Sequence, residues 1–305
     1  MIGSGNSGRG SARDRARVAA AALSLSVCMG LATGSAAPRP GAQKDHARGD
    51  ITLTVFAAAS LNETFHRAAD EFSAAHAGTS FIFNFAGSQQ LAQQLVLGAR
   101  ADIFASADAR QMKAAGPAID SITIRVFVRN LLVVVVPSGA GRAVHRLADL
   151  GSPGVKIVLA ANAVPAGEYA LQFIGRCSPS EGFPVDFMSA VLRNVVSYEE
   201  NVRAVLAKVV LAEADAGVVY VTDAASASRR AVDTVDIPER LNVIAEYPIA
   251  RVRESAHPAE AELFIRFLLS ARGQELLEAA GFTRAPAAAK STDAKPADTE
   301  SHPHE

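Results

Sequence analysis

Short apolar runs alternate with helical patterns from position 51 onward. Strands are predicted at 51–57, 80–85 and 101–106, because each of these segments is a short and mostly apolar run. Helices are predicted at 61–75 and 89–97, where apolar residues recur every three or four positions. This βαβαβ order predicts a parallel sheet with helices packed on its faces.

The alternation continues in a second region, which starts with an apolar run too short for a core helix. Strands are predicted there and near the end of the chain at 131–137, 155–160, 216–222 and 247–252. Helices are predicted from Glu168, over 202–212 after a polar entry at 197–201, and over 259–280 with a break at Gly273. The second region therefore repeats the α/β organisation of the first.

Extended crossings near Leu131 and Tyr247 divide the ordered chain into two lobes. The first lobe comprises about 51–130 and 247–286, and the second comprises about 131–246. The pattern predicts an α/β protein of two lobes, each a mainly parallel sheet flanked by helices. Ligands of open α/β sheets bind at the carboxyl ends of the strands, so we expect a site between the lobes.

Two serines, Ser60 and Ser88, stand where a predicted strand passes into a helix. Ser60 with Glu63 has the form of a capping box, in which the serine oxygen and the glutamate satisfy free amides. The alternative role for both serines is an anion contact, because a helix N-terminus offers free amides and the positive end of a dipole. Right-handed crossovers place both junctions at the same edge of the sheet, which favours the ligand contact.

The ends of the chain differ from the rest. Four arginines precede an apolar run at 18–27, and small residues follow it up to Ala36, which predicts a signal peptide over 1–36 and a linker over 37–50. Cys28 lies in a weak lipoprotein cleavage pattern, so a lipid anchor is the secondary alternative. The segment 287–305 has no apolar period and is predicted to be disordered. His302 and His304 in that tail are expected to be solvated rather than to bind a metal.

Composition and charge narrow the class of protein. A hydrophobic fraction of 49% is sufficient for a large core. Removing 1–36 takes away four arginines and one aspartate, so the net charge changes from −1 to −4. A mildly acidic exported protein is not expected to bind nucleic acid. Cys177 would be the single cysteine of the mature chain, which excludes an intramolecular disulfide there.

Six segments in this order resemble a known family. They are 55–61 (VFAAASL), 85–92 (FAGSQQLA), 98–108 (GARADIFASAD), 164–167 (VPAG), 201–203 (NVR) and 217–223 (GVVYVTD). Together they resemble the periplasmic molybdate-binding proteins of molybdate ABC transporters, with the resemblance running from about 51 to 286. It implies a type II periplasmic-binding fold in which hydrogen bonds alone hold a tetrahedral oxyanion between two lobes.

The resemblance also implies the ligands of the oxyanion. Ser60 and Ser88 would donate hydroxyl and amide hydrogen bonds from the first lobe, and Ala166 and Val202 would donate backbone amides from the second. Tyr220 would donate its phenol. The protein would act without a cofactor, as a monomer that binds molybdate or tungstate and delivers it to an inner-membrane ABC permease and its ATPase.

Three departures from the family pattern bear on this assignment. The loop before Val164, which leads to Ala166, is shorter than the family pattern. Asn201 replaces a frequent aspartate and still caps a helix. Gln89 and Gln90 stand where small hydroxyl residues are common, so they are expected to crowd or supplement the contacts of the first lobe.

The donor set also discriminates among ligands. An unprotonated oxyanion needs only donors, whereas protonated phosphate would need an acceptor; Asp102 and Asp223 are better explained as structural residues at strand ends. Sulfate, tungstate and small organic anions stay as alternative ligands. The chain has no HExxH, G-x-S-x-G or P-loop motif, which argues against an enzyme, and no DNA-binding segment that would indicate a transcription regulator.

Overall fold

The computed structural model describes residues 50–139, 141, 143–178, 180–227 and 231–285. The predictions of a signal peptide, of most of the linker, of a role for Cys28 and of a disordered tail containing His302 and His304 lie outside the described residues. Within the described ranges, no helix combines the length and the apolar character needed to cross a membrane.

Helices and strands alternate along most of the described chain. The first group of elements is β1 (Ile51–Ala58), α1 (Asn62–Ala75), β2 (Thr79–Ala86), α2 (Ser88–Val96), β3 (Ile103–Ala105), α3 (Ala109–Ala114) and β4 (Arg125–Asn130). The second group is β5 (Leu132–Pro137), β6 (Ile157–Ala160), α4 (Pro165–Cys177), α5 (Phe187–Arg193), β7 (Val195–Glu199), α6 (Val202–Val210), β8 (Ala216–Tyr220), α7 (Val221–Ser226) and β9 (Val232–Val235). The last elements are β10 (Ala245–Arg251), α8 (Pro258–Leu269), α9 (Ala271–Ala279) and β11 (Thr283–Arg284).

The strands form two separate sheets, one in each lobe. The first sheet has the strand order β11-β4-β10-β3-β1-β2, and the second has the order β7-β6-β8-β5-β9. The α/β fold with two helix-flanked sheets is therefore as predicted. We call the part built on the first sheet lobe 1 and the part built on the second sheet lobe 2.

Both sheets are mixed rather than mainly parallel, which corrects one detail of the prediction. The strands β2, β1 and β3 are parallel in lobe 1, as are β7, β6 and β8 in lobe 2. The strands that enter from the crossings pair in the antiparallel sense, as β10 does with β3 and β4, and β5 with β8 and β9. The parallel part of each sheet carries the strand-to-helix junctions that build the site.

The helices lie on the sheets through their apolar faces. In α1, Phe65, Ala68 and Phe72 are buried, as the spacing of three and four predicts. Phe65 and Phe72 meet Phe264 of α8 edge to face, with ring centroids 6.1 and 5.3 Å apart. Aromatic pairs of this geometry stabilise a core beyond their buried area. The first and last parts of the chain thus share one core in lobe 1.

Two crossings connect the lobes and are tied to each other. One passes from β4 to β5 at Leu131, and the other passes from β9 to β10 over 236–244. The buried side chain of Asn242 accepts a hydrogen bond from the Leu132 amide at 3.0 Å and donates one to the Leu132 carbonyl at 2.9 Å. The first crossing lies at Leu131, and the second ends just before Tyr247.

Several predicted boundaries are wrong. The strands β4, β7 and β9 were not predicted, and β7 covers most of the segment that the pattern assigned to a polar helix entry at 197–201. Alternating exposed and half-buried residues in β7 mark a sheet edge, where the apolar signal is weak. The last helical pattern divides at Ser270 rather than at Gly273, because the Ser270 side chain caps α9 by accepting from the Gly273 amide at 3.2 Å.

Candidate functional site

The five predicted ligand residues line one small cavity between the lobes. Its lining includes Ser60 and Ser88 from lobe 1 with Ala166, Val202 and Tyr220 from lobe 2, and all five are buried. The space open to the centre of a water-sized sphere is about 10 Å³. By that measure one water molecule needs roughly 10–15 Å³, so the cavity suits only a very compact ligand. None of the described residues that line it carries a charge.

Three helices of nine or more residues begin at this cavity. They are α2, α4 and α6, which start at Ser88, Pro165 and Val202. The first amides of a helix have no intrahelical acceptor, and the positive end of the helix dipole lies there. In the described part of the chain, the amides of Ser88, Ala166 and Val202 donate to no protein acceptor. The cavity therefore collects backbone donors from both lobes.

Local sequence explains why the helices begin where they do. Pro165 occupies the first turn of α4, where its missing N–H costs nothing. Asn201 caps α6 by accepting from the Ala204 amide at 3.0 Å, as predicted. Gly87 is the N-cap of α2, and the side chain of Gln90 accepts from the Gly87 amide at 3.1 Å. The side chains of Asn201 and Gln90 thus bind the amides of Ala204 and Gly87, and they leave the amides of Ser88, Ala166 and Val202 free.

The capping box predicted for Ser60 and Glu63 does not form. Ser60 lies in a 3-10 turn, Ala59–Leu61, which precedes α1 and has no side-chain cap. The Ser60 hydroxyl instead lies 2.9 Å from the hydroxyl of Tyr247, and Glu63 pairs with Arg203 of lobe 2. Ser60 bonds to Tyr247 instead of capping the helix because a buried phenol needs a hydrogen-bond partner. The exposed end of Glu63 can reach the Arg203 cation across the cleft.

The Ser88 hydroxyl is oriented by its neighbour in lobe 1. Its oxygen accepts a hydrogen bond from the Ala107 amide at 3.0 Å. A hydroxyl that accepts one hydrogen bond still has its own proton to donate. Ala107 also lines the cavity, so the Ser88 hydroxyl that it orients lies at the cavity wall. The arrangement leaves the Ser88 proton available to an acceptor inside.

Tyr220 brings a buried phenol to the cavity from the end of β8. Its hydroxyl forms no hydrogen bond of acceptable geometry with any described residue, although the side chain is 1% exposed. Burial raises the pKa of Tyr220 well above its ordinary value, and the neighbouring phenols of Tyr247 and Tyr169 raise it further. The phenol therefore keeps its proton at neutral pH. An unpartnered buried donor at a cavity wall calls for an acceptor within the cavity.

Behind Tyr220, a buried ion pair ties the segments of the site together. Asp223 accepts from the Tyr220 amide at 3.2 Å and lies 3.0 Å from the Arg203 Nε atom. Arg203 follows Val202 and also pairs with Glu63, which links α6 to α1 across the cleft. Burial raises the pKa of Asp223 to about 7, while the Arg203 guanidinium and the Tyr220 amide oppose the rise. This network positions the site without lining the cavity.

Other contacts also join the lobes around the cavity. Arg110 of α3 forms an ion pair of 2.7 Å with Glu168 of α4, and Gln111 donates to the Ala163 carbonyl at 3.1 Å. Gln89 and Gln90 both bond to Glu200 of lobe 2. Their side-chain amides thus donate to the other lobe, and the expectation that these glutamines crowd or supplement the anion contacts of lobe 1 stays a prediction. These contacts hold the lobes closed over the cavity.

Two residues that support the site escaped the sequence analysis. Tyr247 was assigned only to a crossing strand, although it bonds to Ser60 from a position far along the chain. Gly87 was assigned only to a junction, although it caps α2 beside the cavity. No local pattern identifies Tyr247, whereas Gly87 in a strand-to-helix turn is a recognisable signal.

The chemistry of the cavity is that of a neutral anion receptor. It offers hydroxyls, a phenol and helix amides, and no carboxylate among its described lining residues. Asp102 is occupied by the Thr54 amide at 2.8 Å and the Ser255 hydroxyl at 2.7 Å, in agreement with its predicted structural role. An oxyanion that carries no proton matches such a set, because every one of its oxygens accepts.

A family profile described as bacterial extracellular solute-binding protein matches residues 53–283. The chain belongs to this family of solute-binding proteins. Its relatives include the molybdate-binding protein ModA of Mycobacterium tuberculosis, which is 34% identical over 254 residues covering 83% of this chain and 89% of the relative. The molybdate-binding protein ModA of Escherichia coli is 32% identical over 239 residues, covering 76% of this chain and 88% of the relative.

A solved structure agrees with these relatives. The substrate-binding domain of a putative molybdenum ABC transporter from Clostridium difficile is 28% identical and has a TM-score of 0.58. The similarity covers 77% of this chain and 99% of that domain. The resemblance to periplasmic binding proteins of molybdate transporters that the six segments predicted is thus confirmed at the level of family and fold. The contact of the five residues with an anion stays a prediction.

Proposed function

We propose that this protein captures molybdate or tungstate outside the cytoplasm and delivers it to an ABC permease with its ATPase. The observation that carries the proposal is the cavity to which both lobes contribute neutral donors and which no described carboxylate lines. Charge-assisted hydrogen bonds are each worth about 1.5–3 kcal/mol, so a few of them hold a dianion without a lysine or arginine. The relatives named as molybdate-binding proteins support the same ligand.

Each of the five residues has a defined role in this proposal. Ser60 and Ser88 donate their hydroxyls from lobe 1, and Tyr220 donates its phenol from lobe 2. Ala166 and Val202 donate backbone amides at the starts of α4 and α6, where the helix dipoles add to the attraction. The unpartnered Tyr220 hydroxyl and the free amides of α4 and α6 support this assignment.

The protein acts in this proposal as a carrier rather than an enzyme. Burial raises the pKa of the Cys177 thiol to about 11, so the thiol is a poor nucleophile. Residues 1–36 serve as a signal peptide that places the chain in the periplasm, while a lipid anchor at Cys28 is the secondary alternative. Lobe 1 comprises about 51–130 and 247–286, lobe 2 comprises about 131–246, and the protein works as a monomer.

Calorimetry of the mature protein against a panel of oxyanions tests the proposal. We expect molybdate and tungstate to bind within about tenfold of each other, because two oxyanions of nearly equal size fit the same donors. Sulfate is smaller, so its hydrogen bonds would be too long, and losing several of these charge-assisted contacts weakens binding by several powers of ten. Protonated phosphate lacks an acceptor in the cavity and is expected to bind weakly. Equal affinity for sulfate and molybdate would make the sulfate alternative correct.

A further inference from the structure

Beside the cavity, the backbone of Gly87 in lobe 1 closely approaches the backbone of Glu200 in lobe 2. A Cβ atom placed on Gly87 would lie 2.5 Å from the Glu200 carbonyl oxygen, which is closer than real contacts allow. Gly87 directly precedes Ser88, and Glu200 precedes the cap and first residue of α6, Asn201 and Val202. This close approach is therefore linked by one or two peptide units to a proposed ligand on each side.

Two glutamines of α2 bridge this point of approach. The Gln89 side-chain amide donates to the Glu200 carbonyl at 2.8 Å, and the Gln90 side-chain amide donates to the Glu200 carboxylate at 3.0 Å. The Gln90 oxygen at the same time accepts from the Gly87 amide, so this side chain is held at both ends. None of Gln89, Gln90 and Glu200 lines the cavity. The contacts thus join the lobes without touching the ligand space.

Such a bridge exists only in the closed arrangement of the lobes. Opening the cleft would separate α2 from the segment that precedes α6, and both hydrogen bonds would be lost to water. A contact made only in the closed state raises the population of that state by its own free energy. Because an anion leaves only when the lobes separate, the bridge slows release more than it affects capture.

We propose that Gln89, Gln90 and Glu200 form an interlobe clasp, which sets how long the closed protein retains its oxyanion. These are positioning residues, and the proposal rests on the proposed function of the cavity. The clasp differs from the Arg203–Glu63 pair because it uses neutral amides as donors. Its acceptor carboxylate can therefore be neutralised without removing the hydrogen bond.

The rate at which molybdate dissociates from the mature protein is measured by loading the protein with radiolabelled molybdate and then adding an excess of unlabelled molybdate. We expect Gln90→Ala and Glu200→Ala each to raise that rate by about two- to tenfold, the range for losing one hydrogen bond. The double variant should release molybdate at the rate of Gln90→Ala alone, because Glu200→Ala removes a contact that Gln90→Ala has already removed. Glu200→Gln keeps an acceptor for Gln90 and should release molybdate at about the rate of the unaltered protein.

Gln94→Ala is the matched control, since Gln94 lies on the same helix and bonds to Asn84 within lobe 1. Its dissociation rate should be unchanged, and thermal unfolding without ligand should be alike in Gln94→Ala, Glu200→Ala and Glu200→Gln, whereas Gln90→Ala also loses the acceptor for the Gly87 amide. Unchanged release in both Gln90→Ala and Glu200→Ala would overturn the clasp while the binding function stands. An unaltered protein that retains no oxyanion in the panel would overturn both proposals.

Discussion

The Ser60 hydroxyl lies 2.9 Å from the hydroxyl of Tyr247, a residue 187 positions further along the chain. The ring of Tyr247 meets that of Tyr220 edge to face, with centroids 5.7 Å apart. Residues from both lobes thus form one buried cluster of hydroxyl groups beside the cavity. Only the Tyr220 hydroxyl in this cluster lacks a hydrogen bond of acceptable geometry among the described residues.

We expect Tyr220→Phe to weaken molybdate binding and to leave the stability of the unliganded protein unchanged. The hydroxyl forms no hydrogen bond of acceptable geometry with a described residue, so we expect most of the cost of its loss to fall on the anion-bound state. One charge-assisted hydrogen bond corresponds to about ten- to a hundredfold in affinity. Calorimetry measures the affinity, and Tyr198→Phe, at a side chain that is 55% exposed, is the control. Unchanged affinity in Tyr220→Phe would remove this residue from the site.

The fold was largely predictable because its first half follows local rules. The boundaries of β1, α1, β2 and α2 fall within a residue or two of the predicted ones, since the strands are short apolar runs and each helix buries one face. The unpredicted strands β7 and β9 lie at the two edges of the second sheet. Half-exposed edge strands carry no continuous apolar run, so sequence patterns miss them.

The candidate site was predictable only where its donors belong to the backbone or to a short motif. The junctions at Ser60 and Ser88 and the cap at Asn201 follow from strand-to-helix turns. The tertiary contacts around them did not follow, because Tyr247 reaches Ser60 from a distant strand, and Arg203 and Gln90 bond across the cleft. A side chain that chooses a tertiary partner over a local one, as Ser60 does, leaves no local pattern.

Gly167→Ala tests whether the start of α4 must lie close to β6. A Cβ atom on Gly167 would lie 2.2 Å from the Ala161 carbonyl oxygen and 2.3 Å from that of Ala160. Backbone atoms cannot move aside cheaply, so we expect a loss of about 1–3 kcal/mol in the free energy of unfolding. The amide of Ala166 would shift with the helix, and molybdate affinity should fall as well.

Gly175→Ala provides the control on the same helix. The nearest atom to its added Cβ would be the Met188 sulfur at 3.9 Å, so the site has room for a methyl group. Alanine favours a helix interior over glycine by about 1 kcal/mol, and this variant should be equally or more stable. Equal stability and affinity of the two variants, measured by urea unfolding and calorimetry, would show that the close approach at Gly167 is not required.

Small-angle scattering tests closure of the lobes on the ligand. Proposed ligands lie on both lobes, and contacts such as Arg110–Glu168 join the lobes around the cavity. A ligand that binds both lobes shifts the population towards the closed state. We expect a smaller radius of gyration with saturating molybdate than without it. Identical scattering curves would argue against a hinge motion, and the same comparison with sulfate, at an equal concentration, is the control.

We expect the folding stability to depend on pH through the buried carboxyl of Asp223. Burial raises the pKa of Asp223 from 3.8 to about 7, so the folded chain binds a proton there that the unfolded chain has released at intermediate pH. The unfolded state binds fewer protons between about pH 4 and pH 7, and stability therefore falls as the pH rises through this window. Above about pH 7 the carboxyl is ionised in both states, and its contribution no longer changes.

Urea unfolding at pH 5 and pH 8 measures this effect, with Asp223→Asn as the comparison. Other groups also titrate, so the informative quantity is the difference between the two proteins in the change of unfolding free energy. We expect the unaltered protein to lose on the order of a few kcal/mol more than Asp223→Asn between these pH values. The substituted asparagine cannot ionise and removes this part of the slope, while Arg203 keeps its contact with Glu63. Parallel pH profiles of the two proteins would show that Asp223 stays ionised throughout and that Arg203 fully offsets its burial.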